Sequence, residues 1–242
     1  MKKLFTCLAM MLAVTLALSA DVYVKMKTHS DAMSIMGQTT PAQDGTTEQW
    51  IGDDKFASLG GDQSFIIDLK KNMGYIINAK AKTYVETPLP LDMSKLLPPE
   101  AAAFAGMMKM SATVAPTTET KKIGSWTCTG YDVNLSMTMF AMKMRVWAAT
   151  DVPFDANAFN AKIWANLVKG QMMMDDASIK EMAKIKGFQI ATETTGDIMG
   201  AKMRSTTEVV EIAKKDAPAN VYSVPAGFTK TATLSMDAIQ KR

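Results

Sequence analysis

The chain has 242 residues, with 27 lysines and arginines against 24 aspartates and glutamates, which gives a formal net charge of +3. Proteins that bind nucleic acids carry a basic stripe, and this mixed, nearly neutral composition excludes a nucleic-acid partner. The 22 methionines are the outstanding feature of the composition, beside one histidine and two cysteines.

The first twenty residues have the pattern of a secretory signal peptide. Lys2-Lys3 precede an apolar run at positions 4–18, and the small residues Ser19-Ala20 follow it. The run is too short to cross a membrane, and no later run approaches membrane length. We therefore expect cleavage of residues 1–20 ahead of Asp21, a periplasmic or secreted protein, and no transmembrane segment.

The remaining part, residues 21–242, is long enough for a single domain with a sizeable core. Only one cysteine, Cys128, lies in it, so an intramolecular disulfide is excluded. Because Cys128 falls within a strand pattern, we expect a small buried hydrophobe there and no reactive thiol.

Short β-type runs separated by turn residues follow the cleavage site. Val22, Val24 and Met26 alternate with polar residues, which predicts a first strand. Five further runs are separated by turns and predict an antiparallel meander, at residues 47–51, 55–59, 64–69, 74–78 and 83–86. The run 65–69 is apolar on nearly both faces, so part of this sheet must be covered. We expect the cover to be helical.

Two helical insertions are predicted, near residues 91–112 and 155–186. Pro98-Pro99-Glu100 has the proline and acid typical of a first helical turn, and the apolar residues up to Met110 follow it. Residues 113–120 are then expected to be a polar linker. In the second insertion Asp155 predicts an N-cap. Gly170 is expected to end the first helix of this insertion, and Asp176 to cap the next one.

The clearest strand pattern is the strict alternation at residues 131–139, which gives one apolar and one polar face. The pattern resumes at Met142, Met144 and Val146. Gly130 precedes the change of parity and predicts a β-bulge. No turn residue separates Met139 from Met142, so a tight turn and a long bent strand both fit.

Residues 188–195 and 202–212 predict a hairpin, residues 221–224 predict a last short strand, and the tail is expected to be helical from residue 236. The pattern as a whole is mainly β (α+β), with an antiparallel sheet covered by helical insertions.

Several short strings, in this order, resemble an exported bacterial family, domain of unknown function 4412. They span roughly residues 44 to 230, and they include Trp50-Ile51-Gly52, Tyr75-Ile76-Ile77-Asn78, Lys82-Thr83-Tyr84-Val85-Glu86, Cys128-Thr129-Gly130-Tyr131 and Val224-Pro225-Ala226-Gly227-Phe228. That family is similar in fold to the lipoprotein carriers LolA and LolB. The resemblance implies a curved antiparallel half-barrel with helices on its concave side, around an apolar cavity. It implies no catalytic residues.

The methionines allow three interpretations: core filling, the lining of a cavity for a lipid or other apolar molecule, and a soft-metal site. Methionine is common on surfaces that accept variable apolar partners. The predicted lining is Leu135, Met137, Met139, Met142, Met144 and Val146, with Met107, Met108 and Met110 from the first insertion. Thioethers also select Cu(I), and the alternative copper site would use Met26, His29, Met33 and Met36.

An enzyme is not expected. Catalysis by a cysteine–histidine pair would require Cys128 and His29, which nothing in the nearby sequence supports, and no nucleophile elbow, zinc-protease motif or phosphate loop occurs. We expect a non-catalytic binding or carrier protein without a cofactor. Its partner would be an apolar small molecule or lipid, with an envelope protein as a further candidate. A structural envelope module without a small ligand is the other alternative.

Overall fold

The structure, a computed structural model, describes residues 21–35, 37–102, 109–137, 140–198 and 200–235. The predicted signal peptide and the predicted tail helix lie outside the described residues. Four methionines that the sequence singled out also lie outside them: Met36, Met107, Met108 and Met139. Within the described ranges, no helix is long and apolar enough to cross a membrane.

Twelve strands form one curved, open sheet, and a separate hairpin adds two more. In spatial order the sheet runs β14-β8-β7-β6-β5-β4-β1-β13-β12-β11-β10-β9, and only the β14–β8 pair is parallel. The strands are β1 Asp21–Ser30, β4 Gln43–Ile51, β5 Lys55–Gly60, β6 Gln63–Asp68, β7 Met73–Asn78, β8 Thr83–Pro88, β9 Ser111–Ile123, β10 Trp126–Ser136, β11 Ala141–Ala149, β12 Phe188–Ile198, β13 Ala201–Lys215 and β14 Thr229–Lys230, with β2 Met33–Ile35 and β3 Gln38–Thr40 in the hairpin.

The predicted meander is confirmed, because β4 to β8 coincide with the five predicted runs to within a few residues. Alternation also predicted the geometry of β10 correctly. The β9–β10 register shifts between Thr129 and Tyr131, so the predicted bulge lies at Gly130. β10 and β11 are antiparallel neighbours, and their pairing begins with Ser136 opposite Ala141. Of the two alternatives for this region, the tight turn is therefore correct and the long bent strand is wrong.

Short helices follow the predicted insertions, with corrections at their ends. They are a 3₁₀ turn at Met93–Lys95, α1 Pro99–Ala102, α2 Ala156–Phe159, a π-helical turn Asn160–Trp164, α3 Ala165–Gln171 and α4 Asp176–Met182. Asp155 is the N-cap of α2, as predicted, because its Oδ1 accepts a hydrogen bond from the Ala158 N–H at 2.9 Å. The second cap is Asp175 and not Asp176, because the Asp175 carboxylate accepts from the Ser178 N–H.

Three further expectations were wrong. Residues 113–120 are not a linker but lie within β9, where β-branched residues pair with β10. Residues 221–224 form a turn instead of a strand. Gly170 lies inside α3, where a Cβ at this position would be 2.2 Å from the Leu91 Cβ. This glycine therefore permits close packing of α3 on the loop around Leu91 and does not end the helix.

Helices α2 to α4 pack against one face of the sheet, which we call the inner face. The continuous run of α2, the π-helical turn and α3, residues 156–171, is called the helical segment. Its Phe159, Ile163 and Leu167 pack with Val24 and Phe56 of the sheet in one buried cluster. A second cluster lies under α3 and α4, where Val168, Met182 and Ile185 contact buried residues of β9 to β11. The inner face is thus covered by helices in both halves of the sheet, as predicted.

The opposite, outer face differs between the two halves. On β1 and β4 to β7 it is apolar and buried, and its cover is the irregular segment 216–228, which contributes Val221, Tyr222, Val224 and Phe228. The expected helical cover is therefore wrong for this face. On β10 to β13 the outer face carries exposed polar side chains and lies open: Asp132, Asn134, Lys143, Glu193 and Arg204.

The edge strand β9 is closed by side chains of α4. The Ala112 N–H donates to Ser178 Oγ at 3.0 Å, and the Val114 N–H donates to Glu181 Oε2 at 2.9 Å. An edge strand otherwise presents unpaired backbone groups to other chains. Pro116 and the charged residues further along β9 also discourage the rest of this edge from pairing with another chain.

Candidate functional site

Most of the described side chains predicted to line a cavity come together in one place. Leu135 and Val146 are 3% and 0% exposed, and they belong to the buried cluster under α3 and α4. Met110, Met142 and Met144 are partly buried and pack against the same cluster. In the structure these five side chains form part of the packed layer between sheet and helices. Their role as a ligand lining remains a prediction.

Met137 is the sixth described residue of the predicted lining. It lies in the turn between β10 and β11, where its N–H donates to the Phe140 carbonyl oxygen at 2.8 Å, and it is partly exposed. The packed layer under the helices therefore becomes more methionine-rich and more accessible toward this end of the strands.

An open groove of about 610 Å³ crosses the same ends of β10 to β13, and its lining includes Leu135, Met142 and Met203. Alternate residues of a strand point to opposite faces. The neighbours of these three residues, which also line the groove, are mostly polar or charged: Asn134, Ser136, Lys143, Lys202 and Arg204. The groove therefore combines these three apolar side chains with a polar and charged surround.

A second pocket, of about 480 Å³, has several large and mostly buried apolar side chains in its lining. It lies between the 87–95 loop and the end of α3, and its volume is within the range of about 300–1,000 Å³ typical of ligand sites. Besides Pro88 and Pro90, its lining contains five large apolar side chains: Leu89, Leu91, Met93, Met173 and Met174. Four of them are buried, and Met173 is partly exposed. Three of these five large side chains are methionines, whose flexibility gives the pocket an adaptable apolar interior.

Lysines lie at the rim of this pocket. Lys95, Lys109 and Lys169 line it together with a single carboxylate, Asp92, and both Lys95 and Lys109 are exposed. The Ser94 hydroxyl donates to Asp92 Oδ1 at 2.5 Å and is the main cause that holds the pKa of Asp92 below its ordinary value, with a smaller effect from Lys95. Asp92 therefore remains ionised near neutral pH, and cations still predominate at the rim.

The backbone around the pocket is held by specific contacts. Leu91 packs on Gly170 of α3, as described above. The Leu89 N–H donates to the Asn72 carbonyl oxygen at 3.0 Å, and the Asn72 side-chain amide donates to the Leu89 carbonyl oxygen at 3.5 Å. Asp92 caps the 3₁₀ turn by accepting from the Ser94 N–H. These contacts keep the pocket walls in place without filling its interior.

A smaller pocket of about 340 Å³ lies at the other end of the helical segment. Its apolar lining includes Val22, Ile51 and Phe159, and its charged lining comprises Asp21, Asp53, Asp155, Lys162 and Lys214. Burial is the main cause that raises the pKa of Asp21 above its ordinary value. The balance of charge here is slightly acidic, opposite to that of the 480 Å³ pocket.

The sequence did not identify the 480 Å³ pocket. Its residues come from three separate stretches, 87–95, Lys109 and 169–174, of which none has a strand or helix period that points to a site. The available signals were the triplet Met172-Met173-Met174 beside Gly170 and the prolines around Leu89. Neither signal says that the two stretches meet.

The residues of the alternative copper site are not all brought together. β1 pairs with β4 without a break, so Met26 and His29, three residues apart, lie on opposite faces of the strand. His29 Nδ1 lies 2.7 Å from Asp44 Oδ1 and Nε2 lies 3.1 Å from Asp31 Oδ1. The hydrogen bond with Asp44 is the main cause that raises the pKa of His29. Met33 lies apart from β1, in β2.

Among the residues that the structure describes, no three His, Cys, Asp or Glu side chains are arranged to hold a metal ion. Cys128 is fully buried in the core beneath the helical segment, and burial raises the pKa of its thiol. A thiol in this environment is a poor nucleophile. This cysteine acts as the small buried hydrophobe that its strand pattern predicts.

Comparison with known proteins gives one result for the family. The family model described as Domain of unknown function (DUF4412) matches residues 23–228, which is most of the chain and includes the whole 480 Å³ pocket. No curated protein matches the sequence.

Proposed function

The chain belongs to the DUF4412 family, and we propose that it is a non-catalytic binding or carrier protein for an apolar ligand in the periplasm. The proposal includes a LolA-like mode of action, in which a curved sheet and the helices on its inner face hold the cargo. The observation that carries it is the 480 Å³ pocket, with its five large apolar side chains.

The apolar lining supplies the binding energy. Burial of hydrocarbon contributes about 0.8 kcal/mol per CH₂, so ten buried methylenes contribute about 8 kcal/mol. Association itself costs at least about 4 kcal/mol. The difference suffices for measurable binding of one alkyl chain. Methionine is unbranched and flexible, and the partly exposed Met173 therefore suits a lining that meets chains of different lengths.

The position of the pocket supports entry of a ligand from solvent. Met93 and Met174 are buried at its base, whereas Ser94 and Lys95 are exposed at its rim. Met174 also belongs to the buried cluster under α3 and α4.

A displacement experiment tests the proposal. A neutral fluorescent probe, N-phenyl-1-naphthylamine, is bound to the purified protein and displaced by dodecanol below its solubility limit. We expect saturable binding and displacement. Ser94→Trp places a large ring at the exposed rim and should weaken both by about tenfold or more, whereas Ser34→Trp, at an exposed serine in the β2–β3 hairpin, should leave them unchanged.

Two results would contradict the proposal. Absence of saturable probe binding to the wild-type protein would contradict the proposal of an apolar ligand and favour a structural module without a small ligand. Binding that is insensitive to Ser94→Trp but lost in Met142→Gln would move the ligand from this pocket to the methionine cluster under α3 and α4.

A further inference from the structure

The rim of the 480 Å³ pocket restricts the chemistry of its ligand. Of the four charged residues that line the pocket, three are lysines. Lys95 Nζ lies 3.4 Å from Asp92 Oδ2, and Lys169 Nζ lies 2.5 Å from Asp176 Oδ1, so two of the lysines have a carboxylate partner. Lys109 has no ion-pair partner among the residues that the structure describes. The charge of Lys109 contributes to the lowered pKa of Asp175, but its ammonium makes no direct salt bridge there and lies in an exposed side chain at the rim.

The charges and the apolar wall are separated in space. The buried side chains of Leu91, Met93 and Met174 form the interior, and the exposed Lys95 and Lys109 lie at the opening. A ligand that satisfies both regions has an apolar tail and a negatively charged end. Lysine is a flexible point charge with an apolar stem, which can cover part of the tail while its ammonium contacts the headgroup.

The two pockets of the helical segment have opposite charge preferences. The 340 Å³ pocket is lined by three aspartates and two lysines, and the 480 Å³ pocket by three lysines and one aspartate. Only the second combines an excess of cations with five large apolar side chains. A neutral ligand would use the apolar wall alone, and a cationic one would be repelled at the rim.

We infer that the 480 Å³ pocket binds a single-chain anionic amphiphile, with its alkyl chain against Leu89, Leu91, Met93, Met173 and Met174 and its anionic headgroup at Lys109. This inference rests on the proposed function, since it names the ligand class of the same pocket. One alkyl chain fits a volume of 480 Å³ better than two, because this volume is near the lower end for ligand sites.

The test compares dodecanoate and dodecanol as competitors of the same neutral probe at pH 8, each below its solubility or micelle limit. We expect dodecanoate to bind more tightly than dodecanol. Lys109→Glu should weaken dodecanoate by about fivefold or more, because it reverses a charge at the headgroup, and should leave dodecanol unchanged. Lys180→Glu, at an exposed lysine of α4 outside the pocket, makes the same change in net charge and should affect neither ligand.

Each other outcome has a distinct meaning. If dodecanoate and dodecanol bind equally well, and Lys109→Glu changes neither affinity, the inference of an anionic ligand is overturned. The proposed binding of an apolar ligand would still stand. Equal weakening of both competitors in Lys109→Glu would show that Lys109 maintains the pocket and does not recognise charge, which also overturns the inference. If neither competitor displaces the probe and the probe itself does not bind, the proposed function fails with it.

Discussion

The first half of the sheet, β4 to β8, and its second half, β9 to β13, solve the same burial problem in different ways. In the first half both faces are apolar and covered, the inner one by helices and the outer one by segment 216–228. In the second half only the inner face is apolar. The sequence reflects this difference directly. The first half contains the run Phe65-Ile66-Ile67, whereas β10 alternates strictly from Tyr131 onward. A continuous apolar run therefore indicates a cover on both faces.

Substitution of one outer-face residue in each half gives the largest expected effect and the sharpest test of this difference. Ile66 is 1% exposed beneath segment 216–228. Ile66→Ala should reduce the free energy of unfolding by about 2–5 kcal/mol, because it removes buried methyl groups and leaves a cavity. Asn134→Ala, on the open outer face of β10, should change it by no more than about 0.5 kcal/mol. Urea unfolding followed by tryptophan fluorescence measures both, and similar losses would contradict the asymmetry.

The edge contact of the second half should give a smaller effect. Ser178→Ala removes the hydroxyl that accepts from the Ala112 N–H, a buried donor on the edge strand. We expect a loss of about 1–3 kcal/mol, the cost of leaving a buried donor without a partner. Ser125→Ala, at an exposed serine in the β9–β10 turn, provides the control. Hydrogen exchange at the Ala112 amide should accelerate in the first variant only; an unchanged rate would mean that another group satisfies this amide.

Acid should weaken the contact between α4 and β9 before it weakens the apolar cover over Ile66. The hydrogen bond with Lys184 is the main cause that lowers the pKa of Glu181, and the bond from the Val114 N–H adds to it. A carboxylate with a lowered pKa stabilises the fold above its unfolded value of about 4.5, and this contribution disappears as the pH falls through the folded pKa. The pKa of Asp175 is also lowered, chiefly by the Ser178 N–H, so the cap of α4 responds in the same direction.

The measurement is hydrogen exchange of the Val114 and Ile66 amides between pH 7 and pH 3, corrected for intrinsic rates. Protection at Val114 should fall first, because α4 is held to β9 by an ionisable side chain, whereas the cover over Ile66 is apolar. In Glu181→Gln the pH dependence at Val114 should be reduced. Simultaneous loss of protection at both amides, in the wild type and the variant alike, would indicate global unfolding and contradict a separate acid response of the α4–β9 contact.

The strands could be predicted from the sequence because alternation is a local signal. The bulge at Gly130 and the five runs of the meander follow from neighbouring residues alone. The identity of the outer cover could not be predicted, since the strand pattern at residues 221–224 was misleading and the contacts of segment 216–228 are long-range. The cap of α4 was displaced by one residue because Asp175 and Asp176 are adjacent and chemically equivalent in sequence.

The candidate site shows the same limit more strongly. The apolar face of β10 and β11 was predicted correctly as a face, but the structure fills much of it with Val168, Met182 and Ile185 of the helical layer. The 480 Å³ pocket depends on Leu91 packing against Gly170, seventy-nine positions away in the chain. A contact of this kind follows from tertiary structure and leaves no local pattern.

The central position of β1 has a consequence for the order in which the fold can be completed. β1 lies between β4 and β13, with Asp21 opposite Lys215, so the first strand of the described chain pairs with one of the last. During synthesis from the amino end, the meander can form early. The two halves can join only after β13, near the other end of the described chain, is available to pair with β1. Closing so long a loop is slow compared with hairpin formation. Assembly of the second half onto β1 is therefore expected to be a late and rate-limiting event, completed only when segment 216–228 closes over the outer face.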